Sequence, residues 1–72
     1  MDVVFDYSKL RGRIVEKFGS IAAFARALDI SEVTLSRKLN NRVAISRQDM
    51  IDWSTPLDIS VDEYSVFYFA QK

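Results

Sequence analysis

The sequence predicts an all-α domain, a compact bundle of about five short helices, and three observations carry that prediction. Apolar residues return at three- and four-residue steps in successive short windows. A capping side chain, Asp6, Ser20, Ser31, Ser46 or Ser60, stands ahead of each window. Gly19, the Asp29-Ile30 pair, Asn41 and Pro56 interrupt the pattern between windows. At 72 residues the chain has room for one core, so residues 1–72 read as a single domain. A hydrophobic content of 49%, with five Phe, three Tyr and one Trp, is enough to offset the entropy of folding.

The first helix follows Asp6, with Tyr7, Leu10, Ile14 and Phe18 as its apolar stripe and Lys9, Arg13 and Lys17 elsewhere. Gly19 suits the left-handed residue that ends it. Gly12, inside this helix, costs about 1 kcal/mol relative to Ala; it either permits close packing or is merely tolerated. Ser20 caps a second helix from about Ile21 to Leu28, with Ile21, Phe24, Ala25 and Leu28 on one face. Ser31 caps a third, in which Leu35 and Leu39 lie one turn apart while Ser36, Arg37 and Asn40 point elsewhere. Arg42 to Ile45 is expected to be a loop that folds its apolar residues back on the core. Ser46, with Asp49 three residues on, opens a fourth helix whose buried side is Met50, Ile51 and Trp53 and which Pro56 stops. Ser60-Val61-Asp62-Glu63 reads as a capping box for at least one turn of a fifth helix. Beyond Tyr64, Val66 to Ala70 is apolar nearly all round and rich in β-formers, which leaves helix and strand both open.

The composition narrows the functions. Without Cys there are no disulfides, thiolates or usual zinc frameworks, and without His the commonest general base and metal ligand is missing. Asp49 with Asp52, and Asp58 with Asp62 and Glu63, read as solvated helix faces and first-turn charges rather than as catalytic pairs or a calcium loop. The expectation is therefore a protein that is not an enzyme, with no cofactor, metal or small-molecule substrate. No apolar run approaches the roughly 20 residues of a membrane span, and the acidic start Met1 to Asp6 lacks the basic flank of a signal peptide, which points to the cytoplasm. Net charge is zero and the pI about 6.1. The charges are unevenly placed: Lys9 to Arg47 holds nine basic residues against Glu16, Asp29 and Glu32, whereas Gln48 to Lys72 holds Lys72 against five acids. The basic block is where an anionic ligand would be sought.

The run from Phe24 to Asn41, Phe-Ala-Arg-Ala-Leu-Asp-Ile-Ser-Glu-Val-Thr-Leu-Ser-Arg-Lys-Leu-Asn-Asn, resembles the helix-turn-helix of phage repressor and Cro-type regulators. Extended loosely to the flanking helices, the resemblance covers most of the chain. Its physical logic is visible: Ala25 is small where two helices cross, Ile30 plugs the turn, and Leu28, Leu35 and Leu39 anchor the second helix. The segments Asp6 to Ile14 and Thr34 to Asn40 further resemble small lysis-lysogeny regulators of Gram-positive temperate phages. The resemblance implies a lambda-repressor-like helix-turn-helix domain working in a bacterial host cell. Two positions depart from the pattern. Ile21 stands where a phosphate-holding glutamine is usual, passing that contact to Ser20 or a backbone amide, and Asp29 stands in place of the turn glycine.

On this resemblance the recognition helix is about Ser31 to Asn40, and Glu32, Val33, Ser36 and Arg37 fall on its base-reading face. Arg37 matches the O6 and N7 acceptors of guanine. Glu32 either accepts from cytosine or complements the helix N-terminus. Asn40, Asn41 and Arg42 follow where phosphate contacts are usual, Asn41 alternatively as a left-handed cap. Lys38 is expected to lay its stem on the core and direct its amine at a phosphate. In the tail, Val66, Phe67, Tyr68 and Phe69 offer more apolar surface than one helix buries, and so read as a partner interface. The implied function is a Cro-like repressor that binds a double-stranded DNA operator as a homodimer or in a heteromer with a phage repressor. The alternative is an antirepressor that pairs with the switch's main repressor and alters its DNA binding.

Overall fold

Serine side chains cap three of the helices at their first turn. The computed structural model describes residues 4–72; Met1, Asp2 and Val3, which open the acidic N-terminal stretch, lie outside the described residues. Asp6 Oδ1 accepts the Ser8 N–H at 2.9 Å, and α1 runs Ser8–Phe18 with Tyr7 as its N-cap, so Asp6 acts from one residue further out than expected. Gly19, at φ +87°, ends α1 by donating its N–H to the Val15 carbonyl. Ser20 Oγ accepts the Ala23 N–H at 3.1 Å at the head of α2, Ile21–Leu28. Asp29 takes the left-handed conformation at φ 59° without glycine's help. Ser31 Oγ then accepts the Thr34 N–H at 3.0 Å to open α3, Glu32–Leu39.

The fourth helix, α4, spans Arg47–Leu57 behind a reciprocal box: the Asp49 N–H reaches Ser46 Oγ and the Ser46 N–H reaches Asp49 Oδ2, each at 3.0 Å. Glu63 Oε1 accepts the Ser60 N–H at 3.1 Å, and its own N–H returns to the Ser60 carbonyl at 2.9 Å, closing a 3-10 turn, Val61–Glu63, that leads into α5, Tyr64–Phe67. The tail left open by the sequence is thus one helical turn followed by extended chain, with Phe5 and Gln71 forming an isolated antiparallel bridge. Among the described residues the architecture is all-helical, with five α-helices and one 3-10 turn.

Trp53 sits in the middle of the core, its ring 6.0 Å from Phe24 and nearly perpendicular to it. Leu10 and Ile14 of α1, Phe24 and Ala25 of α2, Leu35 and Leu39 of α3, and Leu57 of α4 are all buried in the same cluster. Tyr68 closes it from the tail. Its hydroxyl shares a buried 2.9 Å hydrogen bond with Ser54 Oγ, so neither polar atom is left unpaired inside.

Three expectations need correcting. Ile51 is 48% exposed, because α4 buries Trp53, Ser54 and Leu57 at three- and four-residue spacing, and position 51 falls off that stripe. Pro56 does not stop α4 but lies in its last turn, where only one backbone donor is lost. The helix ends instead at Asp58, left-handed at φ 56°, while Arg13 Nη1 donates to the Leu57 and Asp58 carbonyls at 2.8 and 3.0 Å. In the loop before α4, only Ile45 turns inward; Val43 and Ala44 are exposed.

Gly12 is exposed in mid-α1, and a Cβ built there meets nothing within 4 Å, so the residue is tolerated and does not serve close packing. Gly12→Ala is expected to raise stability by about 1 kcal/mol. Gly19→Ala, at a positive φ, is expected to lower it by about the same amount. Urea unfolding of both variants checks the pair, and a destabilised Gly12→Ala would contradict the open space seen around it.

Candidate functional site

Leu35 and Leu39 fix the rotation of α3 by pointing into the core. Glu32, Val33 and Arg37 are thereby exposed, with Ser36 half-buried beside them. The chain then turns sharply: Asn41 is left-handed at φ 62°, and the Arg42 and Val43 N–H groups return to the Arg37 carbonyl at 2.8 and 3.3 Å. This return places Arg42 and Val43 beside the helix. Together with Glu32, Val33, Ser36, Arg37 and Asn40 they line an open concavity of about 790 Å³.

Several of the polar residues expected at a DNA surface already have partners. Ser20 Oγ is occupied in capping α2. Ser31 Oγ accepts from the Thr34 N–H and donates to Thr34 Oγ1 at 2.8 Å. Asn40 accepts from Arg11 at 2.7 Å and donates to Ser36 Oγ at 3.2 Å. Asn41, whose two roles the sequence left open, is the left-handed cap, and its amide donates to the Phe5 carbonyl and accepts the Phe5 N–H, both at 2.9 Å. Lys38 departs from expectation. Its stem lies on the core, but the amine turns inward to Asp49 Oδ2 at 2.6 Å and stands 5.9 Å from the centre of the Trp53 ring. The carboxylate and the aromatic face together compensate the ammonium for the water it gives up there.

Of the nine cations between Lys9 and Arg47, Arg11, Arg13 and Lys38 are thus engaged within the domain. No ion pair among the described residues involves Arg37 or Arg42.

A second concavity of about 570 Å³ adjoins the first. Val4, Phe5, Met50 and Phe69 contribute to it, no charged side chain among the described residues lines it, and Val43 belongs to both. The termini build its wall. The Asp6 N–H donates to the Ala70 carbonyl at 2.7 Å and the Lys72 N–H to the Val4 carbonyl at 3.2 Å. That pattern turns the Phe5 N–H and carbonyl toward the other edge, where Asn41 meets them. The Phe5 ring lies 6.3 Å from Phe69, edge to face.

Of the four tail residues read from the sequence as a partner interface, only two reach the surface. Phe67 and Tyr68 are core residues, at 7% and 1% exposure, because the single turn of α5 directs both inward; Val66 and Phe69 remain outside. Val4, Phe5, Val43 and Met50 were not among the expected site residues, although the apolar Val4-Phe5 pair just ahead of the Asp6 cap was a readable signal. Among the described residues no group of acidic side chains is placed to hold a metal ion, and no helix is long and apolar enough to cross a membrane.

The link between α3 and α4 is titratable. Burial raises the Asp49 carboxyl, but the hydrogen bonds from Lys38 and Ser46 outweigh it and hold the group below its ordinary 3.8. A depressed folded-state value contributes stability above the ordinary carboxylate range, and that contribution is lost as pH falls through the folded value. Asp6 and Glu63, held down by hydrogen bonds from Ser8 and Ser60, act with the same sign. Asp49→Asn is therefore expected to lose less stability than the parent between about pH 5 and pH 2, without abolishing the dependence. Urea midpoints measured across that range check this, and parallel curves would show that the Lys38–Asp49 pair contributes nothing.

Comparison with known proteins bears on this surface. No curated protein matches the chain. Among solved structures, it is similar to the solution structure of the modulator of repression (MOR) of the temperate bacteriophage TP901-1 from Lactococcus lactis. The two share 34% sequence identity at a TM-score of 0.82, over 90% of this chain and 88% of that one. Residues 3–71 match the family described as "Protein of unknown function (DUF739)", and the chain belongs to that family.

Proposed function

We propose that the chain is a modulator of repression, a non-catalytic protein that binds the repressor of a phage-type switch in a bacterial cytoplasm and changes its hold on operator DNA. The likeness to the modulator of repression of phage TP901-1, at 34% identity over nine-tenths of the chain, carries this reading. It reverses the order of the two functions expected from the sequence, where direct operator binding came first.

The geometry supports the reversal. A DNA-reading helix is normally flanked by groups that hold phosphates and fix its register. Here Lys38 is paired with Asp49, and Asn40 and Asn41 are hydrogen-bonded to Arg11 and to the Phe5 backbone. The outward residues of α3 include a valine at 59% exposure and a glutamate, neither of which favours a phosphate neighbour. The second reading, a Cro-like operator binder, draws on one observation: Ser36 and Arg37 line the outer hollow of a helix that follows another across three residues, Asp29 to Ser31.

Fluorescence anisotropy on labelled operator, first saturated with the switch's repressor, tests the proposal. Added chain is expected to change operator occupancy saturably while binding no operator by itself at the same concentration. Unchanged occupancy by the repressor, together with retention of operator by the chain alone, would return the second reading to first place.

A further inference from the structure

We infer that the two concavities joined at Val43 form one docking strip for a protein segment with an apolar ridge and carboxylates at one end of it. This rests on the repressor-binding reading and names the surface and the chemistry that reading requires.

Continuity comes first. Val43 lines both hollows, so the α3 face passes directly into the apolar groove beneath the terminal ribbon. Exposed apolar side chains follow the strip: Val33 at 59%, Val43 at 46%, Val4 at 47% and Phe69 at 48%. Eight large apolar side chains are exposed among the described residues, and four of them gather along this one path while Val15, Ile51, Val61 and Val66 are scattered elsewhere; it is the clustering that marks a contact surface.

Charge sets the occupant's direction. Arg37 and Arg42 stand on the α3 half, whereas among the described residues the groove half is lined by none that is charged. No ion pair among the described residues involves either guanidinium, and each can take a carboxylate in two parallel hydrogen bonds. Glu32 lies in the same lining and disfavours a run of phosphates there, while an isolated partner carboxylate can sit beside Arg42. A DNA backbone would also set its charges against Val33 and Val43, with no return for covering the groove. The occupant is therefore an apolar protein ridge with acidic residues at its α3 end.

Binding of the full chain to the switch's repressor, read by calorimetry at several salt concentrations, tests this. Arg37→Glu and Arg42→Glu are each expected to weaken binding about tenfold or more, with the parent's salt dependence reduced. Val43→Ser is expected to weaken it severalfold without altering that dependence. Val15→Ser and Val61→Ser, exposed and outside both hollows, serve as controls and stay close to the parent. All five positions are exposed, so unchanged melting temperatures separate contact loss from unfolding. Full repressor binding by the three strip variants would overturn the docking strip and leave the repressor-binding reading intact. Operator binding by the parent chain without repressor binding would overturn both.

Discussion

The outward chemistry of this domain depends on how α3 is held from inside. Leu35 and Leu39, at 0% and 3% exposure, set the rotation of that helix, and Lys38 reaches Asp49 above Trp53 on the same inward side. With a period of 3.6 residues, three inward positions in a helix of eight leave little choice for the rest. Glu32, Val33 and Arg37 must face out, and the return of Arg42 and Val43 to the Arg37 carbonyl adds two more side chains to their face. The surface is thus a by-product of core packing, and its mixed apolar and cationic character follows from which residues remain.

The same economy recurs at the helix ends. A helix leaves carbonyls unpaired at its C-terminus, and a small domain has little core to bury them in. Arg13 meets those of α4 at Leu57 and Asp58, Arg11 meets Leu39 at 3.3 Å, and Asn41 binds the backbone of Phe5. Each such contact ties distant parts of the chain together and withdraws a polar group from solvent. A basic block that reads as a nucleic-acid footprint is, in three of its nine cations, internal structure.

The helices were legible because their signals are local. Ser20, Ser31 and Ser46 each cap a helix that begins one residue later, and Gly19 and Asn41 take the left-handed conformations their positions suggested. Long-range pairing was not legible: no local pattern joins Asn41 to Phe5 or Ser54 to Tyr68. The four residues of α5 show less than two turns of period, so the burial of Phe67 and Tyr68 had no sequence signature. The candidate site was legible in outline, since Glu32, Val33, Ser36, Arg37 and Arg42 do meet in one hollow. The inward turn of Lys38 depends on Asp49, eleven residues away on another helix. The partner was not legible, because two packed helices joined by a turn support either a DNA contact or a protein contact.

The central claim is that the chain engages a repressor and not the operator, and sedimentation of the three components tests it most directly. With chain, repressor and operator each carrying a distinct chromophore, the account predicts that the chain sediments with the repressor whether or not operator is present, and stays at its own rate with operator alone. Co-sedimentation of the chain with operator in the absence of repressor would contradict it.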